Sequence, residues 1–145
     1  MIFWVNLKNQ AVISWMVISN GMSSQCVDDY SDEVSMALQT DGKIVVAGST
    51  VNLGHDNFIT VRFLPDGSID PSFGSNGKVI TSLGESFDGN PNSIAVQSDG
   101  KILVGGVGVG PMNYTTWADF ALVRFMPDGS PDPSFGINGI VLIPL

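Results

Sequence analysis

FITVRFLPDGSIDPSFGSNG, from Phe58 to Gly77, returns almost unchanged as FALVRFMPDGSPDPSFGING, from Phe120 to Gly139. Upstream of each copy lies a second matched block. ALQTDGKIVVAG (Ala37 to Gly48) is followed by AVQSDGKILVGG (Ala95 to Gly106). The upstream blocks are 58 residues apart (Asp41 to Asp99) and the downstream blocks 62 (Phe58 to Phe120). A period near 60 residues means one supersecondary unit packed on copies of itself.

Each unit carries four strand signals. The first is Val34 to Gln39, matched by Ser93 to Gln97. Thr40-Asp41-Gly42 and Ser98-Asp99-Gly100 follow. Asp-Gly between apolar runs predicts a hairpin, because glycine takes the positive φ of a tight turn. The second strand is Lys43 to Gly48, and Lys101 to Gly106. Its small-residue end suits a strand approached closely by a neighbouring unit. Loops Ser49 to Asn57 and Val107 to Asp119, the latter four residues longer, lead to the third strand, Phe58 to Leu64 and Phe120 to Met126. There Ile59, Val61 and Phe63 face one way and Thr60, Arg62 and Leu64 the other. Pro-Asp-Gly-Ser closes that strand. The fourth is Lys78 to Ser82, and Ile140 to Ile143. No stretch sustains a 3.6-residue apolar period, so helices are not expected.

Four short antiparallel strands per repeat predict an all-β fold of β-propeller type, with two four-stranded blades and an N-terminal apolar segment. The expected divisions are 1–27, 28–86 and 87–145. The pattern DGKIVVAG, then F-x-x-x-RF-x-PDGS-x-D-x-SFG-x-NGK, resembles the bacterial delta-60 repeat from Asp28 to the C-terminus. That resemblance implies a propeller-like repeat of secreted or surface-associated bacterial proteins, and it implies no catalytic residues. A cytoplasmic location also stays open. This chain has two clear repeats where the family strings together many. Propellers close with about four to eight blades. Two blades leave apolar faces and open edges, so self-association or a protein partner is expected. Fragment status, or an N-terminal partial blade or cover, are the alternatives.

Composition narrows the partners. The formal net charge is −8 and charged residues make up only 14%. No basic stripe is present to neutralise phosphates, which argues against nucleic acid and anionic membrane surfaces. Cys26 is the single cysteine, so no intrachain disulfide forms. Met1 to Ser19 is apolar but broken by Asn6, Lys8, Asn9 and Gln10, too interrupted for a membrane span. It reads as a β-hairpin or degenerate repeat, or as an imperfect secretion signal.

Candidate chemistry is sparse. Arg62 and Arg124 recur mid-strand. They read as an anion site, or as structural partners of Asp66 and Asp128 or of Asp70 and Asp132. Those four aspartates are also the calcium candidates. Their spacing lacks the closing Glu of an EF-hand, and turn chemistry accounts for them. Gly105 to Gly110 lacks the spacing and the following helix of a phosphate loop. The loops between second and third strands, with His55 in one and Tyr114 and Trp117 in the other, are the candidate interaction surface. No Ser-His-Asp, Cys-His or zinc pattern is readable. The leading expectation is a non-enzymatic scaffold or binding module without catalytic residues or cofactor. The rivals are a metal-dependent propeller hydrolase using Asp32, Glu33 and Asn92, and a remnant without separate function.

Overall fold

A computed structural model describes residues 34–52, 54–84, 87–110 and 118–145. They form two four-stranded antiparallel sheets, with strands in chain order in each. The first blade contains β1 (Ser35–Leu38), β2 (Ile44–Asn52), β3 (His55–Phe63) and β4 (Lys78–Thr81). The second contains β5 (Asp88–Val96), β6 (Ile102–Val109), β7 (Asp119–Phe125) and β8 (Ile140–Pro144). Among the described residues there is no helix. The all-β, two-blade expectation therefore holds for these residues. The N-terminal segment, Asp32, Glu33, Tyr114 and Trp117 lie outside the described residues.

The Asp-Gly turns sit where expected. Gly42 and Gly100 take φ of +84° and +82°, and each N–H returns to the carbonyl of Gln39 or Gln97. The expected loop Ser49 to Asn57 is not a loop. β2 and β3 stay paired from Ile44↔Phe63 to Asn52↔His55, leaving a tight connection containing Gly54 at φ +85°. The β-branched residues Thr50 and Val51 favour the extended form, and pairing with β3 satisfies the backbone of the polar residues around them. β5 likewise begins earlier than expected, at Asp88, and its register shifts between Pro91 and Ser93. Proline has no N–H to give the ladder, and a bulge absorbs that defect.

The core is the seam between the blades. Register places Val45, Ala47, Phe58, Thr60, Arg62 and Val79 on one face of the first blade. Ile102, Val104, Ala121, Val123, Phe125, Ile140 and Leu142 share one face of the second. Apolar members of these two faces make one hydrophobic cluster with Phe73 and Leu83. The remaining face of each blade has no sheet against it among the described residues. Phe120 on the second is 51% exposed, and Ile80 on the first is 43%.

Candidate functional site

The polar residues marked by the repeat gather at one end of the seam. Arg62 comes from β3, near the turn closing that strand. Its Nε donates to Asp70 Oδ2 at 2.9 Å, its Nη2 to Ser72 Oγ at 3.1 Å, and its Nη1 to the carbonyl of Pro127 in the other blade. The guanidinium lies 4.7 Å from the centre of the Phe73 ring. A planar fork with three separate acceptors and an aromatic floor is fixed in one orientation. Its donors are committed within the protein, so the geometry is that of a structural clamp rather than a free anion receptor.

Arg124 repeats most of this in the second blade. Its Nε reaches Asp132 Oδ2 at 2.9 Å, its Nη2 reaches Ser134 Oγ at 3.3 Å, and it stacks 4.4 Å from the centre of the Phe135 ring. Among the described residues nothing accepts from its Nη1. Asp70 and Asp132 are thus the arginine partners, and Asp66 and Asp128 are not.

Asp66 and Asp128 serve the Pro-Asp-Gly-Ser turns. Each Oδ1 accepts the N–H and the hydroxyl of the serine two residues on, Ser68 or Ser130. Asp70 and Asp132 do the same with Ser72 and Ser134. This is aspartate's usual means of holding a turn. The serine bonds hold all four carboxyls below the ordinary aspartate range. Desolvation opposes the shift in each; Arg62 assists at Asp70, and Lys101, 3.2 Å away, at Asp132. The four do not form one cluster. Among the described residues no three His, Cys, Asp or Glu side chains gather as a metal site needs.

A cleft of about 550 Å³ opens between the Asp-Gly turns of the two blades, lined by Lys43, Arg62, Asp41, Asp99 and Asp128 among others. Its charges are of mixed sign. Lys43 is paired with Asp41 at 2.8 Å, and that lysine holds the Asp41 carboxyl below its ordinary value.

At the other end of the seam His55 opens β3 instead of standing in a loop. Its Nδ1 lies 3.2 Å from Asp88 Oδ1, which also accepts the Asp56 N–H at 3.0 Å. Here β3 of the first blade meets the start of β5, making His55 a seam contact between blades. Asn92, the remaining residue of the hydrolase alternative, sits exposed at the β5 bulge.

Sequence reasoning missed the residues that receive the clamp. Pro127, Gly129 and Asp128 each touch the first blade through backbone: the Asp128 carbonyl accepts the Gly74 N–H at 2.8 Å. Gly129 lies under Phe73, where an added Cβ would come within 2.9 Å of the ring. Gly89 and Gly106 receive Phe58 in the same way, with an added Cβ 2.9 and 2.8 Å from its ring. The only sequence signal was the small-residue end of the second strand, and it points to Gly106 alone.

A family profile described as a beta-propeller domain of unknown function, DUF5122, matches residues 39–73 and 97–135. Both matched segments run from the Asp-Gly turn through β3 or β7 to the phenylalanine under the arginine clamp. Comparison with curated proteins gives no match, and comparison with solved structures gives none.

Proposed function

The chain belongs to the DUF5122 beta-propeller family, and we propose that it works as a non-enzymatic scaffold or protein-binding module within a propeller-type assembly. One observation carries this reading: each blade buries one face in the seam and leaves the other without a covering sheet among the described residues, with Phe120 and Ile80 half-exposed on those faces. Apolar sheet faces of this kind are association surfaces. The polar residues that the repeat singles out are occupied in holding turns and the seam, which leaves the faces as the surfaces for binding. The likeness of DGKIVVAG and PDGS-x-D-x-SFG to the delta-60 repeat supports the same reading and a secreted or surface setting.

The test is elemental analysis of the purified chain together with assays for ester and phosphoester hydrolysis. The expected result is no stoichiometric divalent ion and no turnover. A bound ion whose removal abolishes a hydrolytic activity would overturn the proposal in favour of a metal-dependent propeller hydrolase.

A further inference from the structure

We propose that the partner for the open faces is a second copy of this chain, joined head to tail, with the second blade of one copy seated on the first blade of the next. The inference rests on the module reading above and gives that module its partner.

The seam inside the chain is the template. There the Phe58 face of the first blade meets the Gly106 face of the second. The open face of the second blade is the counterpart of the Phe58 face, carrying Phe120, Leu122 and Arg124 in register with Ile143, Val141 and Leu103. On the first blade the counterpart of the Gly106 face carries Gly48, Ile59, Val61 and Ile80, with Val61 9% exposed near its middle and Ile80 43% exposed on the edge strand. Knob and socket are therefore both present on every copy and point in opposite directions.

The unfilled contacts agree one by one. Arg62 Nη1 bonds the Pro127 carbonyl, whereas Arg124 Nη1 has no acceptor among the described residues. Its counterpart acceptor is the Pro65 carbonyl of another copy. The Gly74 N–H bonds the Asp128 carbonyl, whereas no backbone carbonyl among the described residues accepts the Gly136 N–H; the Asp66 carbonyl is its counterpart. Phe73 is covered by Gly129, whereas an added Cβ on Gly67 would meet nothing within 4 Å. That vacancy is where the half-exposed Phe135 would fit. Phe58 is buried over Gly106 and Gly89; Gly48 is the counterpart of Gly106 for Phe120, and the counterpart of Gly89 lies outside the described residues. Such contacts join unlike surfaces and so build rings where the rotation closes and filaments where it does not. About four to eight blades close a propeller, so a ring takes two to four copies.

Light scattering of the full chain tests this. The expected mass is two to four times 15.4 kDa in the micromolar range. Phe120→Asp blocks one face and Ile80→Asp the other, and each alone should reduce the mass to that of one chain. Mixing the two variants should restore a dimer of one chain of each, because one good face remains on each partner. Circular dichroism checks folding, and Phe120→Ser with Ile80→Thr replace any variant that does not fold. A single-chain mass for the unaltered protein would overturn the proposal. So would an assembly indifferent to both variants, or a mixture that stays at single-chain mass. A metal-dependent hydrolytic activity would remove the module reading and leave the mass unchanged. A metal-free single chain would remove the second copy and leave the module reading standing.

Discussion

The Phe58 to Arg62 stretch of β3 and the Phe120 to Arg124 stretch of β7 occupy the same place in their blades. Phe58 is 1% exposed and Phe120 is 51%. The Arg62 side chain is 6% exposed and that of Arg124 is 20%. Position within the repeat does not decide burial; having a neighbouring blade does. The pair thus separates what a blade does for itself from what its neighbour does for it. Arginine stacking and serine-capped aspartates belong to the single blade. Phenylalanine burial and the proline carbonyl bond belong to the seam.

The largest expected contrast is between the two phenylalanines. Phe58→Ala should cost about 3–5 kcal/mol, because it empties a filled site in the seam. Phe120→Ala should cost under about 1 kcal/mol in dilute, single-chain protein, since surface truncations cost little. Urea denaturation of both variants checks this, and equal losses would break the comparison. The arginines come next. Arg62→Ala should cost about 3 kcal/mol, as it leaves the buried Asp70 with its Ser72 bonds and, for a cation, the more distant Lys43, 3.9 Å away. Arg124→Ala should cost about 1 kcal/mol, because Lys101 stays 3.2 Å from Asp132 and water reaches the site.

Gly106→Ala should cost about 2 kcal/mol, since its Cβ would fall 2.2 Å from the Asn90 carbonyl oxygen. Gly48→Ala meets only Val34 at 3.6 Å, an ordinary contact, and the same measurement in dilute, single-chain protein should show it near neutral. Thr60 is fully buried and its hydroxyl has no hydrogen-bond partner among the described residues, whereas Leu122 occupies the matching place. Thr60→Val should therefore stabilise the chain by about 1 kcal/mol, read as a rise in melting temperature.

Acid should show the least contrast between blades. The folded aspartates, Asp70 and Asp132 among them, titrate below their ordinary value of 3.8. Their contribution is complete above that value and is lost as pH falls through it towards the folded value. Melting temperature should decline across that range. Asp70→Asn and Asp132→Asn should each flatten the decline, and an unchanged slope in either would contradict the assignment.

Much of this was legible in the sequence. The Asp-Gly and Pro-Asp-Gly-Ser turns were, because backbone geometry leaves few residue types able to fill them. The facing direction was not. In β3, composition makes Ile59, Val61 and Phe63 the apolar side, yet Phe58, Thr60 and Arg62 form the side pressed into the seam. Both sides of a stacked blade are covered in a longer array, so alternation alone does not say which neighbour is present. Nor did spacing choose between Asp66 and Asp70 as the arginine partner. The local serine bond occupies Asp66 Oδ1, and strand geometry brings Asp70 to the guanidinium. His55 looked like a loop residue because its neighbours Asp56 and Asn57 are polar. Asp88, distant in sequence, accepts from the Asp56 backbone and pairs with His55.

Asn76 and Asn138 both adopt a left-handed backbone with φ of +52°, and each precedes a glycine. Asn-Gly pairs in loose chain age by deamidation, when the glycine nitrogen attacks the asparagine side chain. Here that nitrogen is tied down: Gly77 N–H donates to Phe73 and Gly139 N–H to Phe135, at 2.8 and 2.9 Å. The same turn that seats each aromatic ring under its arginine thus shields a chemically fragile bond. Deamidation at these two sites would then serve as a clock for how often each blade comes apart.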